Sequence, residues 1–156
     1  MLASSGYTVS ELLKLALPVG TLVVAGHRGI NHPVTWISVL NTRPPAFPDL
    51  RGGEMALLSL DAMRLLSDKL TLVSLVRDLA EMDVTAIGVV GEIAQPAQTT
   101  ADELNIPLLR LPDTTSLRDV ESHVARLLVG APMPAYERAQ EVREQLLQLS
   151  TENRGL

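Results

Sequence analysis

The sequence predicts an α/β domain, a mixed sheet of about five strands with a βαβ unit and flanking helices, followed by a C-terminal connector helix. Three observations carry that reading. Ala86–Val90 is a continuous apolar run closed by Gly91, the pattern of a strand covered on both faces of a parallel sheet. Leu72, Leu75, Val76 and Leu79 fall at i, i+3, i+4 and i+7, one apolar stripe for a helix to turn toward that sheet. Hydrophobic residues make up 46% of the chain but aromatics only 3%. The core is therefore built of Leu, Val, Ile and Ala, which favours helices on a sheet over an aromatic nucleic-acid platform.

In chain order, residues 1–6 read as a loose leader. Thr8-Val9-Ser10-Glu11 has the spacing of a capping box, in which the Thr hydroxyl and the Glu carboxylate each satisfy a free N–H of a first helical turn. The helix that follows stops before Pro18, because the residue preceding a proline is pushed out of the helical region. Thr21–Ala25 is a short β-branched strand, Gly26-His27-Arg28-Gly29 a turn, Val34–Leu40 the next strand and Met55–Leu60 another. Residues 61–82 are helical, either continuous or broken near Ser67-Asp68. Strand Ala86–Val90, helix Pro96–Leu104 and strand Leu108–Leu111 make a βαβ crossover, expected right-handed. Ser116–Val129 is a further helix, with Ser116 and Asp119 at capping spacing and Leu117, Val120, Val124 and Leu127 in one stripe.

Pro132-Met133-Pro134 marks the boundary between a domain at 1–131 and a connector or dimerisation helix at 132–156. In the connector, Ala135, Ala139, Val142, Leu146 and Leu149 keep the 4-3-4-3 spacing of a coiled-coil seam. About two heptads are present, fewer than a secure coiled coil needs, and Arg138 at g would face Arg143 at e in a parallel dimer. The helix is expected to pack on its own domain or on a partner, and the chain to be cut from a longer protein.

Composition also excludes classes of function. A net charge of −5 argues against nucleic-acid binding by this chain alone, since phosphate contacts need clustered Lys and Arg. There is no apolar run of the ~18 residues that a membrane span requires. The N-terminus lacks the cationic start and apolar stretch of a secretory signal. Absence of cysteine removes disulfides, thiolate catalysis and zinc ribbons together. His27, His32 and His123 have no metal-ligand spacing, and no Walker loop, nucleophile elbow or dinucleotide fingerprint is present. A cytoplasmic protein that is not an enzyme and holds no cofactor or metal is the expectation.

One stretch stands apart. The run Val34–Leu40, holding the only Trp, gives way to a proline-studded loop with the only Phe; Arg51-Gly52-Gly53-Glu54 then feeds the next apolar run. Pro44, Pro45 and Pro48 stiffen the loop, while Gly53 can adopt positive φ and let backbone N–H groups approach a ligand. Asn41, Arg43, Arg51, Gly52, Gly53 and Glu54 are the candidate ligand-binding residues; a tight turn with its charges in water is the alternative. Trp36 reads as a core residue. Gly91, at the end of a parallel strand where open α/β sheets bind ligands, is the next candidate position, though close helix–strand packing explains its glycine equally well.

Several of these residues carry a likeness. The V-x-W-[IV]-S-V run, a polar-proline loop and L-R-G-G-E-[LM] before a strand resemble the N-terminal domain of the purine catabolism regulator (PucR) family of bacterial transcription factors. So do Tyr7–Leu13, the helix-then-strand unit Leu75–Val84 with Ile87–Val89, and Ala101–Leu109, in collinear order over roughly residues 7–130. The family often has an acidic residue near Asn41 and a Thr-Thr-Gly run where this chain has Ser59-Leu60-Asp61, which implies a different effector class if those positions touch it. The resemblance implies a regulatory, signal-sensing domain. It would bind a small metabolite and transmit that state to a DNA-binding domain absent here, so that DNA is met only through that missing C-terminal part. A purine or ureide effector would offer oxygens for an Arg fork and N–H groups for Glu54. The expected partners are that effector and a second copy in a homo-oligomer. A dimerisation or docking module without a ligand is the alternative.

Overall fold

The computed structural model describes residues 7–41, 46–47 and 50–130. Its elements run β1 (Tyr7–Thr8), α1 (Val9–Leu15), β2 (Leu22–Ala25), a 3-10 turn at His27–Gly29, β3 (Pro33–Val34), β4 (Trp36–Val39), β5 (Glu54–Ser59), α2 (Leu60–Leu66), α3 (Leu72–Glu81), β6 (Ala86–Val90), α4 (Gln95–Leu104), β7 (Leu108–Leu111) and α5 (Leu117–Val129). The predicted capping box forms at α1, where Glu11 N–H donates to Thr8 Oγ1 at 3.1 Å and Thr8 N–H to Glu11 Oε1 at 2.9 Å. Ser116 caps α5 through Asp119 N–H.

The expected mixed α/β sheet is present. Its order is β2-β7-β6-β5-β4, with β7, β6, β5 and β4 mutually parallel and β2 antiparallel to β7. Alternation along β5 shows the two faces. Met55 and Leu57 point to a core with Val9 and Leu12 of α1 and Val120, Val124 and Leu128 of α5. Ala56 and Leu58 point to a second core with Met63 of α2, Leu75, Val76 and Leu79 of α3, and Ala97 and Ala101 of α4. Burial on both faces explains why β5 and β6 read as continuous apolar runs.

Local chemistry produces the break foreseen near Ser67-Asp68 and adjusts two other details. The helical stretch at 61–82 is two helices, because Ser67 adopts extended backbone and Thr71 starts a new one. Thr71 and Ser74 form a second capping box, made with Ser where Glu is usual. The run Val34–Leu40 changes partner partway: β3 pairs antiparallel with β1, whereas β4 pairs parallel with β5. Thr35 links the two, its N–H donating to the Gly53 carbonyl at 2.8 Å. On α5, Leu128 is the buried last member of the stripe and Leu127 is only partly covered. The connector helix predicted at 132–156 lies outside the described residues.

Thr71→Ala removes the N-cap of α3, the helix that contributes most side chains to its core. A lost N-cap costs ~1 kcal/mol, so the urea midpoint should fall modestly with an unchanged m-value. A midpoint equal to that of the parent chain would show that the cap is dispensable.

Candidate functional site

The link between β4 and β5 is shaped by their parallel pairing, since parallel neighbours require the chain to return along the sheet. Residues 40–53 make that return. Asn41 therefore follows the C-terminal end of β4, while the Arg51–Glu54 corner sits at the N-terminal end of β5, where Glu54 is in register with Trp36. The five residues from Trp36 to Asn41 span about 16 Å at ~3.3 Å each. Asn41 N–H donates to the Ala46 carbonyl at 2.8 Å. Phe47 is buried in the core beneath α3 and pins the link to the domain. Arg43 lies outside the described residues.

At the corner the carboxylate of Glu54 turns inward. The residue is only 6% exposed; Arg51 N–H donates to Oε2 at 2.7 Å and Gly52 N–H to Oε1 at 2.9 Å. Gly53 N–H donates to the Asp83 carbonyl at 2.7 Å. Gly52 and Gly53 hold φ of +108° and +88°, a double reversal available to glycine. A Cβ on Gly53 would come within 2.7 Å of Thr35 Oγ1. Three successive N–H groups of the corner are thus satisfied within the chain, and Glu54 accepts from its own loop. What faces solvent is the Arg51 side chain, exposed and outside the two ion pairs of the described residues, Arg64–Asp61 and Arg110–Asp113.

Two grooves flank this corner. A lower groove of about 550 Å³ crosses the N-terminal ends of the parallel strands. Its apolar part comes from Ala80, Val84, Leu104 and Ile106, its polar part from His32, Thr35, Asp83, Thr85 and Asn105, and Gly53 forms one wall. Asp83 and Asn105 are the non-glycine residues of the described chain with positive φ, +61° and +57°. They end α3 and α4, so the carbonyl ends of two helices meet the groove, where partial negative charge accumulates. A Cβ on Gly52 would lie 3.6 Å from Asp83 Cβ, so the corner runs close to the end of α3. A second groove of about 320 Å³ follows β4 and is lined by Trp36, Ile37, Ser38, Val39, Asn41, Leu50, Glu54 and Glu121.

The candidates thus divide: Asn41 and Glu54 line the β4 groove, Gly53 lines the lower one, and Arg51 and Gly52 precede Gly53 in the chain without lining either. Trp36, expected in the core, is 46% exposed at the sheet edge. Asp83 and Asn105 were not singled out by sequence. Their signal was an Asx residue between a helical stripe and the next apolar run, the position of a left-handed C-cap. Gly91 is explained by packing, since a Cβ there would approach Leu60 Cδ1 to 2.8 Å. Among the described residues, no group of three or more His, Cys, Asp or Glu could hold a metal ion, and no helix is long and apolar enough to cross a membrane.

A family model described as the purine catabolism regulatory protein-like family matches residues 11–128. No curated protein matches the chain.

Proposed function

The chain belongs to the purine catabolism regulatory protein-like family and is a regulator domain of that type; we propose that it is the signal-sensing part, binding a small metabolite and passing the change to a DNA-binding domain elsewhere in the regulator. The observation that carries a ligand is the lower groove. Its size falls in the ~300–1,000 Å³ range of small-molecule sites, and its lining mixes apolar side chains with polar ones. Asp83 and the carbonyl ends of α3 and α4 supply acceptors for N–H groups, and Arg51 supplies a paired donor for carboxylate or urea-like oxygens. A nitrogen-rich, partly oxidised heterocycle or ureide presents both, and the family's description makes intermediates of purine breakdown the first compounds to test. A coupling of ~1–3 kcal/mol between effector and output would suffice for a switch.

Thermal unfolding of the 156-residue chain with uric acid, allantoin and allantoate is the test. One of these should raise the midpoint in a concentration-dependent manner, and Arg51→Ala and Asp83→Ala should each weaken binding. Loss of a charged hydrogen-bond partner costs ~1.5–3 kcal/mol, roughly ten- to a hundred-fold in affinity. Calorimetry on variants that still unfold cooperatively reads that loss. Affinity unchanged in both variants would move the site away from the lower groove. No response to any nitrogen metabolite would leave the docking reading in its place.

A further inference from the structure

Among the described residues, β4 is one edge of the five-stranded sheet and pairs with β5 alone. Successive residues of a strand point to opposite faces, so a hollow on one face meets every second residue. The groove beside β4 is lined by Trp36, Ile37, Ser38 and Val39 in unbroken succession. It therefore wraps the strand's edge, where backbone N–H and C=O groups lie, with Leu50 and Glu121 as side walls.

The two edges of this sheet are treated differently. β2, at the far edge, breaks register between Val23 and Ala25, a bulge of the kind that blunts edge pairing. β4 keeps continuous register with β5 from Trp36↔Glu54 to Val39↔Leu57. It carries no charge and no proline, and its Trp, Ile and Val are strong strand formers. The device that discourages strand addition is present at one edge and missing from the other.

Charge sets the occupant. Glu121 of α5 lines the groove and takes part in neither of the ion pairs of the described residues, Arg64–Asp61 and Arg110–Asp113, whereas the Glu54 carboxylate is already held by the Arg51 and Gly52 N–H groups. Ser38 and Asn41 add polar surface, and the described residues of the lining include no cation. We propose that the β4 edge is a docking site for an extended polypeptide segment carrying Lys or Arg, which adds to the sheet as a sixth strand and places its basic side chain by Glu121. Strand addition supplies affinity through the main chain and specificity through alternate side chains. The inference is independent of a metabolite in the lower groove, and effector binding and peptide docking can fail separately.

The probe is a fluorescein-labelled nonapeptide of alternating Lys and Val, titrated into the 156-residue chain and followed by anisotropy. It should bind at least ten-fold more tightly than the Glu–Val counterpart and than the same Lys–Val peptide with every amide N-methylated. Glu121→Lys, on the outer helix, should weaken it at least five-fold while thermal unfolding stays cooperative. Equal affinity of the N-methylated peptide, no effect of Glu121→Lys, or no binding of the Lys–Val peptide would overturn the proposal. So would a dimer in sedimentation that excludes the peptide, which would assign the edge to a second copy.

Discussion

Gly26→Ala is expected to be among the most damaging single substitutions in this chain. Gly26 follows β2 with φ +69° and ψ 32°, and a Cβ there would lie 1.9 Å from the Ile106 carbonyl oxygen and 2.3 Å from its carbon. Both atoms are backbone, so no rotamer change relieves the contact. The left-handed conformation alone costs a non-glycine residue ~1–2 kcal/mol; the clash must also push β2 from β7 or unseat the α4–β7 link. Gly26 N–H donates to Asp102 Oδ1 at 2.7 Å, a bond whose donor alanine keeps but which a shift of the backbone would stretch. A loss beyond ~4 kcal/mol is the expectation, read as failure to purify a soluble chain or as a collapse of the urea midpoint. Gly20→Ala is the control, with φ +99° but its nearest contact at 3.4 Å from Pro112 Cγ. Stabilities of the two variants within ~1 kcal/mol of each other would show that the close approach to Ile106 relaxes easily.

Glu54→Ala should rank next. The carboxylate is buried and serves two backbone donors, and each hydrogen bond to a charged group contributes ~1.5–3 kcal/mol. Removing both acceptors leaves the N–H groups of Arg51 and Gly52 to find water at a corner that Gly53 still ties to Asp83. A loss of ~3–6 kcal/mol follows. Glu54→Gln, which keeps one carbonyl oxygen, should lose about half as much, and Arg51→Ala almost nothing, because the bond is made by its main chain. That order distinguishes a structural clasp from a ligand contact. Stability untouched by Glu54→Ala would return the carboxylate to the candidate binding groups.

Much of the architecture was legible in the chain because its local signals agree with its tertiary ones. The Thr8–Glu11 spacing became a capping box, Ala86–Val90 became a buried parallel strand with those bounds, and the Leu72–Leu79 stripe became the inner face of α3. The relations between distant segments were less legible. Nothing in Val34–Leu40 announces that Thr35 passes the chain from an antiparallel ribbon to a parallel sheet, because both pairings suit β-branched residues equally. The inward turn of Glu54 was hidden by its charge, although its place at the head of the buried run Met55–Leu58 placed it beside the core. The lower groove could not be read at all. Its walls come from residues 32–35, 53, 80–85 and 104–106, which only the sheet order brings together.

The antiparallel seam between β2 and β7 carries a consequence for how the molecule is made. Leu22-Val23-Val24-Ala25 is an apolar strand whose partner in the main sheet is Leu108–Leu111. During translation at ~5–20 residues per second, the intervening residues 26–107 take roughly 4–16 s to follow it out of the ribosome. For that interval the strand has no mate in its own sheet, and its neighbour is the most distant in sequence of any in the sheet, the kind of pairing that forms slowly. The burden on cellular holding factors should therefore fall on the first quarter of the chain, before the seam can be closed.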